Sequence, residues 1–200
     1  MSVALAAPRT LVPHAVIERR RGTHAMLLFI LTEAVLFLML FVAYYYLGHS
    51  APVWPPEPPP FTLALVMLAL LVASSVVLHW GERQVDSGRQ GRGRAATAAT
   101  ILLGVAFLAV QTLEYHRHLQ RLQPTSDAYG SIFYAITGLH AAHLVLGLLM
   151  LAYVLLLPDI NGDRRPPHRP LHNASLYWHF VDFVWVVIVC LIYLAPNVTR

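Results

Sequence analysis

The feature that most constrains this chain is the recurrence of apolar runs of about twenty residues, broken by short polar stretches. A run of that length crosses the roughly 30 Å hydrocarbon core of a bilayer as a single helix. Five such runs fall at about residues 23–47, 61–80, 95–118, 130–157 and 174–195. Charged residues make up 12% of the chain and mean hydropathy is +0.57, whereas a soluble domain carries about 25% charged residues. The expected fold is an all-α integral membrane protein, a bundle of five transmembrane helices over residues 23–200. A polar, irregular cytoplasmic tail, residues 1–22, precedes it.

The connecting segments support this division. Between the first two runs lies a proline-rich stretch, residues 54–60, expected to be a stiff extended loop. Residues 81–94 read as a charged loop, residues 115–129 hold a turn around Pro124, and residues 159–173 contain three arginines among prolines. Every basic residue other than histidine is an arginine, and these are unevenly spread. Eleven lie in the tail, in 81–94 and in 159–173; only Arg117, Arg121 and Arg200 lie on the alternate side. The positive-inside rule then orients the bundle with its N-terminus in and its C-terminus out. Topology thus accounts for the net charge of +4 without a nucleic-acid partner. No short apolar core with a small-residue cleavage site marks a removable signal. One cysteine, Cys190, leaves no internal disulfide framework.

Ionisable side chains inside apolar runs are costly in lipid and mark functional or partnered positions. Glu33 lies on the order of 15 Å along the first run, where a carboxyl is protonated, paired or facing a water-filled cleft. In the last run Trp178, Asp182 and Trp185 share one helical face, with His179 three residues before Asp182. A His–Asp pair among aromatic rings can bind a metal, relay protons or fasten helices; an interior contact between the two is the favoured reading. His140 and His143, at i and i+3, are candidate haem or metal ligands, or equally hydrogen-bonded interior residues. Glu114 reads as a contact near a helix end. By helical rise these groups sit at different depths, whereas metal ligands must gather within about 2.0–2.6 Å of one ion. Glu33, His143 and Asp182 come nearest to one level.

Four motifs, in order, resemble subunit III of the haem-copper respiratory oxidases. They are Phe29-Ile30-Leu31-Thr32-Glu33; Gln111-Thr112-Leu113-Glu114-Tyr115; Tyr129-Gly130-Ser131-Ile132-Phe133 followed by Thr137-Gly138-Leu139-His140-Ala141-Ala142-His143; and Tyr177-Trp178-His179-Phe180-Val181-Asp182-Phe183-Val184-Trp185. The longer members carry two more N-terminal helices, so the chain is similar to the five-helix bacterial form. The family's Asn-Thr pair in the next helix is replaced here by Met67-Leu68.

The resemblance implies a non-redox subunit of a proton-pumping terminal oxidase in the bacterial plasma membrane. It implies no catalytic centre, cofactor or metal in this chain, with haems and copper in the partner subunits. Catalytic subunit I, the neighbouring subunit II, and phospholipid held in a cleft would be its partners. Glu33 would be the reactive buried carboxyl near that cleft; His140, His143, His179 and Asp182 would stabilise the bundle, along with Glu114, Trp178 and Trp185. The electron donor, cytochrome c or a quinol, stays open, and some relatives accompany nitric oxide reductases. Outside the resemblance, the residues also permit a stand-alone membrane enzyme with haem or metal on His140, His143, His179 and Asp182, or a transporter using Glu33.

Overall fold

The computed structural model describes residues 14–55, 61–119, 124–125, 127–157 and 170–195. Its elements are α1 (His14–Ser50), α2 (Phe61–Asp86), α3 (Gln90–His118), α4 (Ala128–Leu156) and α5 (Pro170–Ile188). The last runs directly into a π-helical turn, Val189–Leu194. All five helices are long and apolar enough to cross a membrane.

The helices are longer than their apolar runs. α1 begins at His14, so residues 14–22, expected to be irregular tail, continue the helix. Glu18 and the three arginines after it are good helix formers, and polarity alone does not break a helix. Residues 1–13 lie outside the described part. Most of the expected loop 81–94 is helical as well: only residues 87–89 separate α2 from α3. Here Gly88 takes φ +77°. Its N–H bonds the Val85 carbonyl at 2.9 Å, and the Arg89 N–H bonds the Gln84 carbonyl at 2.9 Å. That pair of bonds is a Schellman closure, which needs a left-handed residue where glycine is unstrained. α5 starts at Pro170, ahead of the expected residue 174, because proline suits a first helical position. α4 starts where the Asp127 side chain accepts from the Gly130 N–H at 2.6 Å, an N-cap. The expected loops around 56–60 and 158–169 fall outside the described residues.

Small residues bring α2 and α3 together. A methyl group added at Gly81 would lie 2.6 Å from Ala96 Cβ, and one at Gly93 would lie 2.1 Å from Val85 Cγ2. Without a hydrophobic driving force between helices in lipid, such close backbone approach supplies the packing energy. α5 is the most enclosed helix and α1 the least. α5 packs on α1, α2 and α4, while α1 lies against α4 and α5. The core centres on Trp178, fully buried in a notch whose floor is Gly104 and Gly147. Its indole N–H donates to Ser74 Oγ at 2.9 Å. Met67 is fully buried in the same core, so apolar packing fills the position where the family motif has a polar residue. Along α1, Leu27, Leu28, Leu31, Val35, Leu38 and Met39 are exposed.

Candidate functional site

The interior polar residues form three separate groups along the bundle. The first joins α1 to α4. His143 Nδ1 lies 2.7 Å from the Leu139 carbonyl. A carbonyl only accepts, so that nitrogen carries hydrogen. His143 Nε2 then faces Glu33 Oε2 at 2.8 Å, and a single proton shared by this pair completes the bond in either charge state. The Phe37 ring meets the imidazole edge-on at 5.0 Å, and Phe29 stacks on Tyr177 at 5.8 Å. The carboxyl is not sealed: 19% of the Glu33 side chain and 11% of that of His143 remain exposed. Glu33 thus combines a protein partner with an opening.

The second group joins α3, α4 and the end of the fifth helix. Gln111 Nε2 donates to the Thr137 carbonyl at 3.0 Å. Tyr115 O–H donates to Thr137 Oγ1 at 2.7 Å, and that hydroxyl donates in turn to the Phe133 carbonyl at 2.7 Å. Glu114 is buried and accepts from Tyr193 O–H at 3.1 Å. The π-turn, with the Ala195 N–H bonded to the Cys190 carbonyl, places Tyr193 on that buried face.

The third group lies towards the arginine-rich end, between α2 and α5. Asp182 and His179 do not bond each other. Ser75 of α2 stands between them, donating to Asp182 Oδ2 and lying 2.8 Å from His179 Nδ1. The direct His–Asp contact expected from the sequence is therefore a three-residue bridge, because the Ser75 hydroxyl of α2 reaches both polar ends and takes the place of their mutual bond. Below it, Glu82 accepts from Ser175 Oγ at 2.8 Å and lies 3.1 Å from His172 Nδ1. Ser175 also lies 3.2 Å from His179 Nε2. Sequence reading missed Ser75, His79, Glu82, His172 and Ser175. The signal was present as Ser75, His79 and Glu82 at i, i+4 and i+7, one face of α2, but assigning residue 82 to a loop hid it.

His140 and Trp185 belong to none of these groups. His140 is fully buried, 5.0 Å from the Trp185 ring and 5.8 Å from Phe107. Neither His140 nitrogen, nor Trp185 Nε1, nor Asp182 Oδ1 has a hydrogen-bond partner among the described atoms. The hydrogen-bonded interior role read for His140 is thus replaced by ring packing.

Long apolar helices joined by dispersed polar contacts define a multi-pass membrane protein. The description "Cytochrome c oxidase subunit III" matches residues 10–196. Cytochrome c oxidase subunit 3 of a Synechocystis species is 36% identical over 173 residues, spanning 84% of this chain and 73% of that protein. The zebrafish (Danio rerio) protein of the same name is 34% identical over 180 residues, spanning 85% of this chain and 68% of its own length. The chain belongs to the subunit III family of the haem-copper cytochrome c oxidases.

Proposed function

We propose that this chain is the non-redox third subunit of a proton-pumping, cytochrome c-type terminal oxidase, supporting assembly and sustained proton uptake beside the catalytic subunit. Family membership carries the oxidase assignment. The observation that supports the accessory role is the dispersal of Glu33, Glu114, His140 and Asp182 into separate helix contacts. Those groups hold five helices in register and do not converge on one redox centre. Glu33, paired yet partly open, is the residue placed to exchange a proton or to meet a lipid headgroup. An apolar groove of about 360 Å³ between α4 and α5, lined by Leu149, Met150, Tyr153 and Val154 among others, suits an acyl chain. Subunits I and II are the partners, carrying the haems and copper. The membrane is the bacterial plasma membrane, with the N-terminus inside and the C-terminus outside.

Affinity purification of the tagged chain from membranes in mild detergent, followed by mass spectrometry and a reduced-minus-oxidised spectrum, tests this reading. The expected result is co-purification with haem-bearing oxidase subunits and cytochrome c oxidation by the complex. A haem stoichiometrically bound to the isolated chain would instead indicate an enzyme in its own right. A stable monomer with transport activity in liposomes would indicate a transporter. Oxidation of a quinol but not of cytochrome c would move the complex to the quinol oxidases.

A further inference from the structure

At the arginine-rich end of the bundle, one nitrogen each of His79 and His179 and one oxygen of Glu82 lie within 4.8 Å of one another. Two imidazoles and a carboxylate are a zinc-type donor set, and three protein ligands leave a fourth position for water. The residues come from two helices: His79 and Glu82 sit at i and i+3 on α2, and His179 crosses from α5. Ligands at about 2.0–2.1 Å from a tetrahedral ion would be roughly 3.4 Å apart, so donors within 4.8 Å of one another need to close by at most about 1.4 Å. His79 is exposed, which leaves its ring free to swing and leaves an entry path for an ion.

The surroundings set the chemistry of His179. Ser75 has one hydroxyl hydrogen and gives it to Asp182. The same oxygen can then only accept from His179, 2.8 Å away, which places a hydrogen on Nδ1. In the neutral ring Nε2 then keeps its lone pair; it lies 3.2 Å from Ser175 Oγ, whose one hydrogen goes to Glu82, so the serine does not donate to that lone pair. A carboxylate orienting a ligating imidazole through its far nitrogen is the usual support of a metal-bound histidine; here a serine relays it. Glu82 is oriented by Ser175 on one oxygen and His172 on the other, and a carboxylate has lone pairs to spare beyond two hydrogen bonds.

We propose that His79, Glu82 and His179 form a binding site for a zinc-class divalent cation that clamps α2 to α5 at the bundle rim. The ion has a structural or regulatory part and no part in electron transfer. This departs from the expectation that the chain ligates no metal, and it stands independently of the oxidase reading.

The test is equilibrium dialysis of the full-length chain in detergent against zinc chloride, with metal counted by mass spectrometry, and a parallel titration with cobalt(II) read in the visible region. The expected result is one zinc per chain and cobalt bands of tetrahedral intensity. His79→Ala and Glu82→Gln should each weaken binding at least tenfold, while His116→Ala, an exposed histidine at the opposite end, should not. Zinc should raise the melting temperature of the unsubstituted chain and not that of His79→Ala. Because His79 is exposed, its replacement leaves the fold intact. Failure to take up stoichiometric zinc, or undiminished uptake by His79→Ala, would overturn the proposal.

Discussion

A single hydroxyl, that of Ser75, couples two ionisable groups of α5 that do not touch. A double-mutant cycle between Asp182→Asn and His179→Gln should therefore show a coupling of about 0.5 kcal/mol or more, read by thermal or denaturant unfolding in detergent. In a Ser75→Ala background the same cycle should fall close to zero. The Glu33–His143 bond makes a different prediction. Glu33→Gln keeps a side chain able to donate to Nε2, so the purified chain should unfold like the parent. Glu33→Leu leaves the imidazole nitrogen facing an apolar group and should destabilise by about 1–3 kcal/mol, the usual cost of an unsatisfied buried partner. Glu33 was legible in the sequence because a lone carboxyl in an apolar run stands out. Its partner was not, since no periodicity within α1 says which helix lies opposite. His140 shows the converse: it looked like a ligand or a hydrogen-bonded residue, yet its neighbours are the rings of Phe107, in an edge contact, and of Trp185, tilted against it, which no local pattern reveals.

Individual helices depend on where they lack side chains as much as on what they carry. Gly93 and Gly91 are two residues apart on α3, and their environments are opposite: Gly93 abuts Val85, whereas nothing lies within 4 Å of a methyl at Gly91. Gly93→Val should push α2 and α3 apart and cost about 1–3 kcal/mol by overpacking. Gly91→Ala should be neutral or stabilising by about 0.5–1 kcal/mol, the helix-propensity difference. Paired melting curves of the two variants check this. Hydropathy located all five helices but misjudged their ends, because it marks where lipid begins and not where hydrogen bonding stops. The Arg-rich entry to α1 and the Gly81–Asp86 turn of α2 lie beyond the apolar stretch and stay helical. Assigning the charged residues 81–94 to a loop was the specific error; Gly81 stays helical, and its missing side chain serves the approach of Ala96.

Across the whole molecule, the least enclosed helix is α1, and its exposed leucines and methionine form an apolar face along the bundle. Tryptophan substitutions on that surface, such as Leu31→Trp, should leave the melting temperature of the isolated chain within about 2 °C, since surface changes away from specific contacts shift stability by less than about 0.5 kcal/mol. If the helix faces subunit I, the same variant should lower the yield of co-purified complex.

The π-turn at the end of the fifth helix has a bearing on how length should be compared. Its i→i+5 bonding takes up one residue more than ordinary winding would, and this surplus places Tyr193 over Glu114. Regular winding of these same residues would rotate the phenol by about 100° and strand the acid it covers, whereas deleting one residue inside the turn, such as Cys190, removes the surplus and leaves the phenol in place. Spacing in this last stretch therefore encodes direction, so an alignment with a regularly wound helix pairs side chains that look the same way beyond the turn only if it opens a one-residue gap there.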